Sequence, residues 1–132
     1  MKKVLAVLLV LVMAVACFTG CGNNAQSDAE NWPSKTVTFI VPFAAGGSTD
    51  IIFRALADKL TEDLGQTFIV ENKEGGSGSL GLAEAAIAEP DGYTFSIGMG
   101  SNMCMVPNMS NTGYDAFDLT PVCQVTNTPV VL

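Results

Sequence analysis

The sequence predicts an α/β fold with a parallel sheet. Short apolar runs rich in β-branched residues alternate along the chain with stretches of helical pattern, and strands that alternate with helices pair in parallel. Loops rich in Gly, Ser, Thr or Asn follow the predicted strands, at the edge of the sheet where ligands bind in such folds.

The first strand and the first helix are predicted between residues 36 and 65. Thr36–Val41 is apolar and β-branched, as in a buried strand. The helix is expected to begin with Ser48 or Thr49 as its N-cap. Asp50 lies in its first turn, where a carboxylate suits the helix dipole, and Gly65 is its predicted end. Its apolar face is predicted to consist of Ile51, Ile52, Ala55, Leu56, Leu60 and Leu64.

The remaining elements continue this alternation. They are, in order, a strand over Gln66–Glu71, a glycine-rich loop over Asn72–Gly78, a helix over Ser79–Glu89 and a strand over Tyr93–Ile97. The chain is predicted to be loop from Gly98 to Leu119 and extended over Val122–Val125 and Pro129–Leu132. Because an apolar strand rarely ends a protein, we expect a fragment of a longer chain.

The N-terminal segment is predicted to be a bacterial lipoprotein signal peptide. A basic start at residues 1–3 precedes an uncharged run over residues 4–20, which is short for a membrane-spanning helix. The segment ends like a lipobox, and Cys21 is the better candidate for lipidation because polar residues follow it at once. Cys17 is a weaker candidate, and an uncleaved anchor is the alternative. Residues 21–31 then form a flexible tether.

Composition excludes several classes of function. The chain has 132 residues, with 13 acidic and 6 basic side chains and no histidine. Cleavage before Cys21 would leave four basic residues against 13 acidic ones, a net charge of −9. Such a chain is a poor partner for nucleic acid, and without histidine it lacks the commonest general base and metal ligand. Cys104 and Cys123 would either form a disulfide or remain as two buried free thiols.

Three loops carry the candidate binding chemistry. Phe43–Asp50, Asn72–Ser79 and Gly98–Asn102 each follow a predicted strand. In the first loop, two glycines and two hydroxyl residues precede a helix, so that backbone N–H groups can bind an anion. The alternative is a tight turn with ordinary Ser/Thr capping.

Three other patterns are weaker. Gly76–Gly81 matches G-x-G-x-x-G, but the following strand does not end in the acidic residue that a dinucleotide site needs. The methionine-rich segment Met99–Met109 could offer soft ligands to Cu(I), although packing at a lobe interface is favoured. Ser48 and Cys104 are candidate nucleophiles with no histidine to activate them. We therefore predict no catalytic residue, no metal and no cofactor.

Several segments, taken in order, resemble one receptor family. They are Trp32–Lys35, Val41–Asp50, Leu64–Gln66, Val70–Lys73, Gly75–Gly81, Pro90–Thr94, Tyr114-Asp115 and Asp118–Val122. Together they resemble the tripartite tricarboxylate transporter receptors, which are the TctC or Bug family of extracytoplasmic solute-binding proteins.

This resemblance implies a periplasmic-binding-protein-like fold of type II. Its two lobes would close on a small carboxylate and deliver it to the membrane permease subunits of a transporter. Members of the family are much longer, so the chain would hold a partial first lobe with a βαβαβ start. The implied divisions are a signal peptide at 1–20, a tether at 21–31, the partial lobe at 32–125 and the start of a crossover into the second lobe at 126–132.

The resemblance also implies which residues form the site. The first-lobe ligand contacts would be Phe43, Ala44, Gly47, Ser48, Thr49 and Asp50, and the strand-end contacts Gly98, Ser101 and Asn102. Gly76, Ser77, Gly78 and Ser79 would shape the cleft rim. The methionine-rich loop departs from the family pattern.

The expected protein is therefore a solute-binding lipoprotein without catalysis. It would be exported and lipid-anchored on the outer side of the bacterial cytoplasmic membrane. The alternative, from another functional class, is a surface lipoprotein whose α/β lobe is a sensory or protein-interaction module.

Overall fold

A three-stranded parallel sheet lies at the centre of the described structure. The computed structural model describes residues 31–127. The strands are β1 (Val37–Val41), β2 (Phe68–Asn72) and β3 (Thr94–Ser96), in the spatial order β2-β1-β3. Both neighbours run parallel to β1. The predicted α/β class with a parallel sheet is therefore confirmed.

Helices connect the strands and follow the last one. They are α1 (Ser48–Leu64), α2 (Ser79–Ala86) and the short α3 (Val106–Met109). Single helical turns lie at Gly76–Gly78, Ser101–Met105 and Ala116–Asp118, of which the second is a π-helical turn. From Pro33 onward, the described residues belong to one compact unit.

The main core lies between the sheet and α1. Phe39 of β1 is its centre, with its ring 5.7 Å from that of Phe53 on α1 and 5.8 Å from that of Phe68 on β2. The ring of Phe95 on β3 lies 5.9 Å from it. The buried cluster comprises Val37, Phe39, Val41, Phe53, Ala57, Phe68 and Ile97. One aromatic side chain therefore joins all three strands to the long helix.

The second helix covers the other face of the sheet. The connection from β1 to β2 runs in one direction across the sheet, and the connection from β2 to β3 passes β1 in the opposite direction. Because both crossovers are right-handed, α1 and α2 lie on opposite faces of the sheet. Ile40 and Leu82 are buried outside the main cluster, as this arrangement requires. Each face of β1 thus has its own helix.

The predicted apolar face of α1 was partly wrong. The residues that α1 buries are Asp50, Phe53 and Ala57, with Leu56 and Leu60 partly buried. Four residues of the predicted face are exposed: Ile51, Ile52, Ala55 and Leu64. Because three consecutive apolar residues lie near the start of α1, the sequence does not determine which face of the helix is buried. Packing of the Phe53 ring on Phe39 determines that face.

Several element boundaries also differ from those predicted. Gly65 ends α1 in the left-handed conformation, as expected. The second strand begins and ends later than predicted because its ladder with β1 runs from Phe68 to Asn72. The second helix ends at Ala86, since its last turn tightens and Glu89, which precedes a proline, cannot remain helical. The third strand is shorter than predicted, because its ladder with β1 pairs only Thr94–Ser96.

The region after β3 is more helical than predicted. A loop was expected from Gly98 to Leu119, but it contains three helical turns. Pro107 lies in the first turn of α3, where its missing N–H costs no hydrogen bond. Asp115 and Asp118 form a capping box around the last turn. Residues 121–127 are exposed and pair with no strand, and the extended conformation predicted for Val122–Val125 stays a prediction.

The remaining predictions concern thiols and the chain ends. Cys104 and Cys123 are both free and exposed, which contradicts both a disulfide and two buried thiols. The signal peptide, Cys21 and most of the tether lie outside the described residues, as does Pro129–Leu132. Within residues 31–127, no helix has the length and apolarity needed to cross a membrane.

A matched pair of glycine variants tests the packing of α2 on the sheet. A Cβ at Gly81 would lie 2.9 Å from Pro42 Cβ and 3.1 Å from the Lys73 carbonyl oxygen, whereas a Cβ at Gly100 would meet nothing within 4 Å. We expect Gly81→Ala to lower the free energy of unfolding by about 1–3 kcal/mol, because overpacking forces the backbones apart. Gly100→Ala should change it by less than about 0.5 kcal/mol. Urea denaturation measures both, and equal stability of the two variants would contradict this packing.

Candidate ligand-binding site

The candidate site lies where the carboxyl ends of the strands meet. After β1 the chain forms β2 on one side of β1, and it later forms β3 on the other side. The order of the strands therefore reverses between β1 and β3, and at such a point open α/β sheets have a crevice that binds ligands. Backbone hydrogen bonds extend this edge, from Lys73 N to the Val41 oxygen and from Ile97 N to the Ile40 oxygen. All three predicted loops begin here.

The first loop ends in an open helix N-terminus. Gly46 has φ of 82°, and Gly47 N donates to the Ala44 oxygen at 3.3 Å. Gly47 is the N-cap of α1, and no side chain caps the helix. The predicted N-cap role of Ser48 or Thr49 was therefore wrong, because both residues already lie within α1. The first-turn N–H groups of α1 are left with no side-chain cap.

Asp50 is buried beneath this loop. Its side chain is about 3% exposed, and it has three hydrogen-bond donors. Oδ2 accepts from Gly46 N at 2.8 Å and from Arg54 Nε at 2.9 Å, and Oδ1 accepts from Asn72 Nδ2 at 2.9 Å. Arg54 also donates through Nη2 to Asn72 Oδ1 at 2.8 Å. The hydrogen bond from Arg54 is the largest cause that holds the pKa of Asp50 well below its usual range, with those from Gly46 and Asn72 adding to it.

Asn72 extends this network to the start of the loop. Its Nδ2 donates to the Phe43 carbonyl oxygen at 3.1 Å as well as to Asp50. Neither Asn72 nor Arg54 was predicted as a site residue. The i,i+4 spacing of Asp50 and Arg54 on one helix could have indicated their ion pair, but only the sheet register brings Asn72 beside them.

The second loop has an unusual backbone. Gly75, Gly76, Ser77 and Gly78 have consecutive positive φ angles, and Ser77 is the one non-glycine residue with positive φ among residues 31–127. Gly78 is the N-cap of α2 and is buried against Asn102, so that a Cβ here would lie 2.8 Å from Asn102 Nδ2. The second and third loops are therefore in contact.

The third loop is organised by Asn102. This residue is fully buried, and its Oδ1 accepts a hydrogen bond from Met99 N at 2.7 Å. Tyr114, which was not predicted as a site residue, donates from its hydroxyl to the Asn102 carbonyl oxygen. Asn102 Nδ2 is the one buried side-chain polar atom without a hydrogen-bond partner in the described part of the chain. A buried donor without an acceptor is rare enough in proteins to require an explanation.

The other predicted residues of this loop are more open. Gly98 and Ser101 are exposed, and Gly98 is packed closely by the side chain of Met103. Met99, Met105 and Met109 are exposed. Within residues 31–127, no group of three or more His, Cys, Asp or Glu side chains could hold a metal ion.

Every basic side chain in the described part of the chain is ion-paired. Arg54 pairs with Asp50, Lys73 with Glu71 and Glu84, Lys59 with Glu62 and Asp63, and Lys35 with Asp91. No unpaired cation is left among residues 31–127 for an anionic ligand. The donors that remain at the carboxyl edge are neutral N–H, hydroxyl and amide groups.

Comparison with known proteins identifies the family. The model of the tripartite tricarboxylate transporter family receptor, TctC, matches residues 52–132, which is more than half of the chain. The chain belongs to this receptor family. The receptor is also 32% identical over 137 aligned residues to the protein BugT of Bordetella pertussis, an alignment that covers 100% of this chain and 40% of BugT. The chain spans 21–40% of the length of the curated relatives it matches.

Solved structures agree with this membership. MatC from Rhodopseudomonas palustris with bound malate is 36% identical with a TM-score of 0.63, covering 69% of this chain and 32% of MatC. A protein of R. palustris with adipate is 38% identical with a TM-score of 0.61, covering 65% of this chain and 29% of that protein. The described fold is thus similar to part of these periplasmic solute-binding proteins.

The lowered pKa of Asp50 predicts how the stability of the receptor depends on pH. A carboxyl group with a lower pKa in the folded state binds protons better when unfolded, so acid favours unfolding. The stabilisation that ionised Asp50 provides is complete at a pH above the pKa of the unfolded state, which is about 3.9. It is lost as the pH falls below that value towards the lower pKa of the folded state. The advantage of the wild type over Asp50→Asn in free energy of unfolding should be largest at neutral pH and should narrow below about pH 4.

Urea denaturation between about pH 7 and pH 3 measures this difference. Asp58→Asn, which alters an exposed carboxylate of the same helix, is the matched control. A constant gap between wild type and Asp50→Asn over the whole pH range would contradict the assignment.

Proposed function

We propose that the chain is the N-terminal part of an exported, lipid-anchored receptor. It captures a small carboxylate and delivers it to the permease of a tripartite tricarboxylate-type transporter. The observation that carries this proposal is the N-terminus of α1, which opens without a side-chain cap at the carboxyl edge of the sheet. Family membership supports it, as do the carboxylates, adipate and malate, in two related structures.

The chemistry of this helix end suits a carboxylate. The first-turn N–H groups of α1 have no intrahelical partners, and the positive end of the helix dipole favours an anion. The hydroxyls of Ser48 and Thr49 make no capping hydrogen bond, so both can donate to a ligand. Phe43, Ala44 and Gly47 complete the loop that we propose as the first-lobe part of the site.

The third loop supplies the rest of the proposed first-lobe surface. Gly98 and Ser101 are exposed there, and Asn102, which is buried and whose Nδ2 has no hydrogen-bond partner, completes this part of the proposed site. We propose that Gly76, Ser77, Gly78 and Ser79 form the rim, because Gly78 packs against Asn102.

Neutral donors are what an acidic receptor of this kind needs. The cations in the described part of the chain are already paired with carboxylates, so we propose that this part of the site holds the ligand through local dipoles. In water, charges on the surface are screened beyond about 8 Å at physiological salt, so the distant acidic residues repel the ligand only weakly.

Ligand binding by the receptor tests this proposal. The mature protein, expressed from the complete reading frame that contains this sequence, is titrated with malate, adipate and citrate by calorimetry. We expect at least one carboxylate to bind, and Ser48→Ala to weaken that binding by about 3- to 10-fold through loss of one hydrogen bond.

Ser34→Ala is the matched control for this titration. Ser34 bonds to the Tyr93 hydroxyl near the opposite end of the sheet, so its loss should leave the affinity unchanged. A wild-type receptor that binds no carboxylate would contradict the proposed function, and equal affinities of the two variants would contradict this position for the site.

Lipid attachment is tested separately at the N-terminus. Cys21→Ala should abolish labelling with radioactive palmitate and release the protein from the membrane fraction, because Cys21 is the proposed acceptor of the lipid. Cys17→Ala is the matched control and should be labelled like the wild type. Labelling that survives in Cys21→Ala but not in Cys17→Ala would place the lipid on the other cysteine.

A further inference from the structure

We infer that Asp50 is a positioning residue, which holds the loop over residues 43–47 in the shape that presents the N-terminus of α1 to a ligand. This inference rests on the proposed function, because the shape of that loop matters to binding only if the ligand lies there. The related structures named above contain carboxylates, adipate and malate, but these ligands do not by themselves define a role for Asp50.

The carboxylate of Asp50 is buried and hydrogen-bonded to groups of the protein itself. The side chain is about 3% exposed and accepts three hydrogen bonds, from a backbone N–H, a guanidinium and an amide. A group with these partners does not face a ligand. Its effect on binding must therefore pass through the groups that it holds.

Those groups are the two ends of the loop. Gly46 N, near the end of the loop, donates directly to Asp50 Oδ2. Phe43, at the start, is held through Asn72, whose Nδ2 donates both to Asp50 Oδ1 and to the Phe43 carbonyl oxygen. Both anchors of the loop thus depend on one carboxylate.

An ordinary capping role does not explain this geometry. In a capping box, the acidic residue at the third helical position accepts from the N-cap N–H. Here the N-cap residue is Gly47, whose N–H donates to the Ala44 oxygen, and Asp50 accepts instead from the residue before it. The carboxylate therefore fixes the loop rather than the helix end.

Arg54 neutralises the buried charge of Asp50 and connects Asp50 to the sheet. Its Nε donates to Asp50 and its Nη2 to Asn72 Oδ1, so one guanidinium joins the helix to the end of β2. The side chain is half exposed, which leaves the positive charge partly in water while the carboxylate is buried. A lysine would supply the charge but not two directed hydrogen bonds.

The test compares ligand affinity with stability in the mature receptor from its complete reading frame. Asp50→Asn keeps the shape of the side chain but replaces one acceptor with a donor, and all three partners are donors. We expect Asp50→Asn to weaken the binding of whichever of malate, adipate and citrate the wild type binds by about 10-fold or more. Hydrogen exchange should also accelerate in the 43–47 segment.

Thr61→Val is the matched control for general destabilisation. Thr61 Oγ1 accepts from Phe68 N and donates to the Ala57 oxygen, so this variant weakens the packing of α1 on β2 at the opposite edge of the sheet. We expect it to lower the melting temperature while changing the affinity less than about 2-fold. Affinity is measured well below both melting temperatures, so that loss of folded protein cannot mimic a weaker site.

The outcomes separate this inference from the proposed function. A wild type that binds no carboxylate contradicts the proposed function, and the inference falls with it. A wild type that binds, with Asp50→Asn binding equally well, overturns only the positioning role. If Asp50→Asn does not fold, Arg54→Lys replaces it. An intermediate loss of affinity in Arg54→Lys supports the inference, and an unchanged affinity overturns it.

Discussion

The central position of β1 is the constraint on which the rest of the structure depends. Its backbone pairs with β2 on one side and β3 on the other, and its side chains face a helix on each face. Phe39 therefore contacts aromatic rings from α1, β2 and β3. Because both ladders are parallel, the loops that follow all three strands converge at one edge. The candidate site exists because the most buried strand ends there.

At that edge, burial of a carboxylate has an unusual consequence. Asp50 lies under the first loop and accepts hydrogen bonds from donors of the loop, α1 and β2. Among residues 31–127, the cations are already paired with carboxylates. The structure instead leaves helix N–H groups and hydroxyls open, and commits Arg54 to shaping the loop. At this edge, charge stabilises the structure of the loop, and the groups left without partners are neutral donors.

The second and third loops are coupled by close packing rather than by charge. Gly78 has a positive φ and lies against the buried amide of Asn102, so no larger side chain fits at this position. The backbone of Asn102 is held in turn by the Tyr114 hydroxyl. The methionine-rich segment begins beside this contact, with Met103 packed on Gly98 and the other methionines at the surface. This segment therefore combines one buried organising residue with exposed, adaptable side chains.

Local patterns along the chain were enough for the parallel α/β class, the first strand and the end of α1 at Gly65. Each depends on short-range physics, namely β-branched apolar residues, alternation of elements and a glycine that tolerates the left-handed conformation. The same local patterns, with the resemblance to known receptors, indicated the three loops and therefore the candidate edge. They did not identify Arg54, Asn72 or Tyr114 as residues of the site.

Contacts between distant residues decided the rest. Which face of α1 is buried was set by the ring of Phe39, because several apolar faces were available to that helix. The role of Asp50 was set by the sheet register, which brings Asn72 to it across 22 residues of chain. Such pairings are set by packing and hydrogen-bond geometry in three dimensions. Periodicity and local propensity describe only neighbours along the chain, so they do not predict these pairings.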